Sequence, residues 1–202
     1  MKKHTLTVKM FNDFYNNVYH RWRLNNEKAA KDIVGEEYES FRKNFWLSEG
    51  FELGERNNVL DSGVKTDLVI MKEGEIVAVE EDKGSYVDGT FLSRAISDCV
   101  KIFGKCLKDN KPVPFFILSC PTKMKNFEVT FESDIEYLRD DIQDLLRKKF
   151  IYLPLCDNGR VNRKKYFKTP DNHYKLSENN LNRQKEFIEK IKIEKIKKNE
   201  RI

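Results

Sequence analysis

Residues 64–83 read VKTDLVIMKEGEIVAVEEDK. Two apolar runs, 64–71 and 76–83, are joined through Lys72-Glu73-Gly74-Glu75, which predicts two strands of a hairpin. Both runs are apolar on both sides, as expected of central strands with helices on each face. The second run breaks its own pattern. Ile76-Val77-Ala78-Val79 is core material, yet it continues into Glu80-Glu81-Asp82-Lys83. Three acids and a lysine ending a central strand cost on the order of several kcal/mol unless they are paired, metal-bound or solvated. A conflict of this kind between levels marks a functional site.

Side chains alternate along a strand, so Glu81 and Lys83 share one face while Glu80 and Asp82 share the other. Asp67 is the acid of the preceding run, and its face depends on the turn. A two-residue turn at Glu73-Gly74 pairs Asp67 with Glu80. A three-residue loop, Lys72-Glu73-Gly74, places Gly74 at the left-handed position such loops require and pairs Asp67 with Val79. We expect the second arrangement. Asp67, Val79, Glu81 and Lys83 then share a face, with Asp67 and Glu81 diagonal neighbours about 7–8 Å apart at the backbone. Their carboxylates can converge on one hard cation, with Lys83 one step beyond, within reach of a water or a phosphate.

Outward from the hairpin, apolar periodicity predicts helices over 11–24 and 27–47, the latter stopped at Ser48-Glu49-Gly50. Residues 51–53 form a short strand. Residues 91–107 carry apolar residues at three-to-four spacing and form a helix, followed by a buried strand at 115–119. Ser133 with Glu136 suggests a capping box opening a single helix over 134–149. A strand at 151–155, a basic loop and a charged helix over 178–198 complete the chain. Strands alternating with helices imply an α/β fold with a mixed sheet flanked on both faces. The organisation we expect is an N-terminal basic helical segment (1–32), a core (33–156), and a basic loop with a C-terminal helix (157–202). In that helix Leu181, Phe187, Ile188 and Ile191 form a narrow stripe to dock on the body or on a second copy.

The chain has 202 residues, enough for one domain with a substantial core. Charged residues reach 35%, above the common value of about 25%. No run of about 18 apolar residues is present, and the N-terminus lacks an apolar stretch, so a cytoplasmic protein with no membrane span is expected. The four cysteines form no CxxC pair and lie apart from the histidines, so they read as buried free thiols rather than a zinc site. His4, His20 and His173 are dispersed and take no catalytic role. The net charge of +5 conceals an asymmetry: residues 1–31 carry +5, residues 163–202 carry +7, and the middle carries −7. Basic ends suit a polyanion such as nucleic acid, and an acidic middle can house a divalent metal.

Asp67, thirteen intervening residues and then Glu81-Asp82-Lys83 resemble the PD-(D/E)XK nuclease superfamily, whose members share the restriction-endonuclease-like fold. The surrounding residues resemble it too. GEEYESFRKNFWLSEGF looks like the first core helix of Mrr-like members, with Gly35-x-x-Tyr38-Glu39 matching a G-x-x-F/Y-E pattern. Gly50-Phe51 matches the glycine–aromatic pair leading into the first strand. The resemblance covers about residues 33–120, and Thr66 stands where the proline of the family name would be.

The resemblance implies metal-dependent phosphodiester cleavage. Asp67 and Glu81 would offer hard oxygens to Mg²⁺, with the Asp82 main-chain carbonyl as a third ligand and Mn²⁺ as a substitute ion. Lys83 would orient or help deprotonate the attacking water, or balance transition-state charge. Glu39 would hold a second metal or a bridging water, with Glu36 and Glu37 competing for that role and Glu80 just behind. The expected function is a Mg²⁺-dependent endodeoxyribonuclease, restriction-type on duplex DNA, acting as a homodimer because cutting both strands needs two sites. A Holliday-junction or repair endonuclease is the alternative. A nuclease fold that grips nucleic acid without cutting is the alternative of another class. Lys65, Arg94 and the basic run Arg160, Arg163, Lys164, Lys165 and Lys168, interleaved with Tyr166, Phe167 and Tyr174, are the expected nucleic-acid contacts.

Overall fold

The two apolar runs lie at the centre of a five-stranded sheet of order β1-β2-β3-β4-β5. Its strands are β1 (Glu52–Leu53), β2 (Leu68–Lys72), β3 (Glu75–Asp82), β4 (Phe115–Cys120) and β5 (Phe150–Pro154). β1, β2 and β3 are antiparallel neighbours, whereas β3, β4 and β5 run parallel. The chain is therefore α/β with a mixed sheet, as expected. The computed structural model describes residues 2–24, 30–84, 87–157 and 176–199. Its helices are α1 (Lys2–Leu24), α2 (Ala30–Ser48), α3 (Gly89–Lys108), α4 (Phe127–Ile135), α5 (Asp140–Lys149) and α6 (Glu178–Asn199). No helix among the described residues is long and apolar enough to cross a membrane.

Strand alternation divides the core into two layers. Val69, Val79, Phe116 and Leu118 face Leu92, Ile96 and Phe103 of α3, Phe131 of α4 and Leu146 of α5. Leu68, Ile70, Ala78, Phe115 and Ile117 face Phe45 and Trp46 of α2 and Phe187, Ile188 and Ile191 of α6. The apolar stripe of α6 thus seats on the sheet itself, with the Phe187 ring edge-on to Phe115 at 5.1 Å. Burying one such side chain is worth about 1.5–3 kcal/mol. Phe11, Phe14 and Val18 of α1 pack on Tyr38 and Phe41 of α2 and on Leu155. All four cysteines are free and buried, as expected.

Local signals hold at several ends. Gly50, at φ +82°, closes α2: its N–H donates to Leu47 O at 3.1 Å and the Phe51 N–H to Trp46 O at 3.2 Å. Asp88 caps α3 by accepting the Phe91 N–H at 2.9 Å.

Four expectations are corrected. α1 begins at Lys2 rather than at 11. Residues 64–67 precede the second strand rather than belonging to it. The helix expected over 134–149 is two, α4 and α5, broken at residues 136–139, and Ser133 caps neither. Phe127 and Phe131, four apart, anchor α4 on the rings of Tyr152 (4.1 Å) and Phe150 (5.2 Å) of β5. α5 must in turn run straight into β5, so the chain bends between them. The freed carbonyls of Leu138 and Glu136 accept the Gln143 side-chain amide at 2.7 and 3.3 Å.

The hairpin, fourth, turns without the expected three-residue loop. Lys72 pairs with Glu75 across a two-residue turn, Glu73-Gly74, both left-handed (φ +52° and +78°). Alone, that turn would put Asp67 opposite Glu80. The register then shifts between Met71 and Ile70, because Met71 pairs with Ile76 but Ile70 with Ala78. Val77 is the extra residue of a β-bulge, and it restores the parity. Ile76 accordingly packs with the α3 layer and Val77 with the α2 layer. Leu68 pairs with Glu80, so one further step sets Asp67 directly opposite Glu81, not diagonal to it.

Candidate active site

The acids at the end of β3 divide between the two faces as alternation requires. On the α3 face, the half-buried Asp67 and Glu81 are cross-strand neighbours, and the Asp67 carboxyl acts on that of Glu81. Burial, the Asp67 charge and Asp98 push Glu81 up to about 8, against the pull of Arg94. Burial likewise raises Asp67, although its Oδ2 accepts the Asp82 N–H at 2.7 Å. The Asp67 N–H donates to Glu80 O at 3.1 Å, so the main chain holds Asp67 to β3 at both ends. Lys83 follows on the same face. Its Nζ stands 4.4 Å from the Phe91 ring of α3, and its N–H donates to Ser119 O at 2.8 Å. Asp67, Glu81 and Lys83 are thus brought to one side of the sheet.

Glu80 and Asp82 point toward α2. Glu80 is fully buried and fully used: Arg42 donates Nε to Oε1 at 2.5 Å and Nη2 to Oε2 at 3.1 Å, and the Trp46 indole donates at 2.6 Å. Arg42 Nη1 also reaches Gln184 Oε1 of α6 at 2.8 Å. Asp82 keeps some exposure as a residue, but both carboxylate oxygens are covered and lack a hydrogen-bond partner among the described residues. Burial, then the nearby Glu80, holds its carboxyl well above the usual range. The side chain of Asp82 therefore faces away from the acid pair, and only its main chain is at hand there. Nearby, Tyr38 of α2 shares a 2.7 Å hydrogen bond with Ser119 of β4. Gly84 lets β3 approach α2 closely: a Cβ there would lie 2.7 Å from Gly35 Cα and 2.8 Å from Val34 O.

Glu39 is placed beside the pair, with its charge acting on Asp67, but its Oε1 accepts from Arg56 Nη1. Glu36 and Glu37 are both engaged by Arg21, at 2.8 and 2.7 Å. Arg94 is 81% exposed on α3 and Lys65 is exposed beside the buried Thr66. Arg160, Arg163, Lys164, Lys165 and Lys168 lie outside the described residues. Among the described residues, no three His, Cys, Asp or Glu side chains are grouped to hold a metal. A cation at Asp67 and Glu81 would therefore draw further oxygens from main chain, water or substrate. The donor set is all oxygen, and two neighbouring carboxyl groups that burial and mutual repulsion keep from ionising together fit a hard cation that would favour their charged forms.

Two residues escaped the sequence reading. Arg42 lies four residues from Tyr38 and from Trp46, inside the buried stripe of α2, and that spacing was a readable signal. Arg56 sits in a polar loop with no periodicity to expose it. No family model matches this chain, and no curated protein or solved structure matches it.

Proposed function

We propose that this chain is a Mg²⁺-dependent endodeoxyribonuclease with a restriction-endonuclease-like core, cutting duplex DNA as a homodimer. One observation carries the reading: the strand register sets Asp67 opposite Glu81 at the end of the central hairpin, with Lys83 next on the same face. Two acids forced together on the same strand pair as a lysine is a costly arrangement for a structural salt bridge, since the lysine rests on Phe91 instead. Asp67 and Glu81 would hold Mg²⁺ or Mn²⁺, with the Asp82 carbonyl as a third oxygen. Bound there, the ion would polarise a phosphodiester and lower the pKa of water. Lys83, lifted from Phe91, would hold the attacking water or offset charge on the phosphate. Arg94, whose charge acts on Glu81, and the exposed Lys65, two residues before Asp67, would contact the DNA backbone.

The test is incubation of supercoiled plasmid with the chain in Mg²⁺ or in EDTA. Nicking and linearisation in Mg²⁺ alone are expected. Asp67→Asn, Glu81→Gln and Lys83→Ala should each lower the rate by about 10²-fold or more, as loss of a group acting in the transition state does. Full activity in any of these variants overturns the assignment. A mobility shift without cleavage favours the non-cleaving binding module.

A further inference from the structure

We propose that Arg56 is a substrate-phosphate contact of this site and that Glu39 is its positioning residue, an inference that rests on the nuclease reading above. Arg56 Nη1 donates to the main-chain oxygen of Asp67 at 2.9 Å and also to Glu39 Oε1. A cation is therefore set one hydrogen bond from the Asp67 main chain, and its charge acts on the Asp67 carboxyl. Unlike the fully buried Arg42, its side chain is 43% exposed. A guanidinium carries five donors, and among the described residues only Nη1 is used. The remaining fork matches the paired oxygens of a phosphate.

The Arg56 backbone is anchored. Its carbonyl accepts the Thr66 N–H at 3.3 Å, next to Asp67. The loop beyond is closed by Val59 N–H to Val64 O at 2.8 Å, and both valines are buried against the α3 layer. Acids crowd the acid pair: Glu39 and Glu80 act on Asp67 and Asp98 acts on Glu81, against Arg56 on the first and Arg94 on the second. A phosphodiester needs fixed positive charge to approach such a place. Glu39 is neutralised by Arg56, which leaves it poorly suited to be a ligand and well placed to aim the guanidinium.

The test measures binding of a fluorescein-labelled DNA duplex in EDTA by anisotropy across a salt series, beside cleavage kinetics in Mg²⁺. Arg56→Gln should reduce the slope of log K against log salt by about 0.9, the signature of one lost phosphate contact, while Arg56→Lys keeps it. Glu39→Gln should raise KM about threefold with kcat retained, and have no further effect in an Arg56→Gln background. An unchanged slope in Arg56→Gln overturns the contact. A collapse of kcat in Glu39→Gln at constant KM overturns its positioning role. Wild-type cleavage with an unchanged Arg56→Gln slope sinks this inference alone. A reduced slope without any wild-type cleavage sinks the nuclease reading alone, and a wild-type chain that binds no duplex sinks both.

Discussion

Replacing Arg42 with methionine should expose what holds the active-site strand. The substitution nearly conserves volume and removes three hydrogen bonds: two to Glu80, at 2.5 and 3.1 Å, and one to Gln184 at 2.8 Å. Glu80 then keeps only the Trp46 indole, at 2.6 Å, for a carboxylate with no exposed surface. Leaving one member of a buried ion pair unpaired costs about 3–5 kcal/mol. With a urea m-value of about 2.5 kcal/mol/M for a chain of this size, the midpoint should fall by about 1–2 M. Far-UV circular dichroism through a urea titration measures it. The double variant Arg42→Met with Glu80→Gln removes the stranded charge and should recover about 1–3 kcal/mol. The effect should reach the site, because the Glu80 carbonyl receives the Asp67 N–H. A midpoint for Arg42→Met within about 0.3 M of wild type, or strict additivity in the double variant, would refute the reasoning.

Two further outcomes are expected. Burial pushes Cys120 and Cys156 up to about 12 from an ordinary value near 9.0, so the unfolded chain releases these protons first as pH rises. Their stabilising contribution is whole below pH 9 and is lost progressively between 9 and 12, with about 1.4 kcal/mol gone per thiol at pH 10; urea midpoints that stay flat from pH 8 to 10, or a Cys120→Ala variant with an undiminished slope, would contradict this. Glu73 adopts a left-handed conformation at the first turn position, where asparagine is preferred. Glu73→Asn should raise stability by about 0.5–1 kcal/mol, and a lower urea midpoint would show that contacts of the Glu73 side chain outweigh the backbone preference.

Much of this protein follows from short-range pattern. The apolar runs at 64–71 and 76–83, the periodicity of α3 and the glycine at 50 are each legible because they are properties of one element and its own repeat. So is the division of Glu81 and Lys83 from Glu80 and Asp82, which alternation along one strand enforces. Asp67 is different. Its face was anticipated from a three-residue loop, and it reaches the same side by a two-residue turn followed by a bulge at Val77. A bulge leaves no trace in an unbroken apolar run such as Ile76-Val77-Ala78-Val79, where either parity buries a suitable side chain. The break between α4 and α5 was equally hidden, since it answers to where Tyr152 and Phe150 lie on β5. The pairing of Arg42 with Glu80, and the presence of Arg56 beside Asp67, were decided only when helix, loop and sheet packed together. Sequence periodicity states which way a side chain points from its own element; which charge meets which depends on a one-residue displacement and on partners tens of residues away.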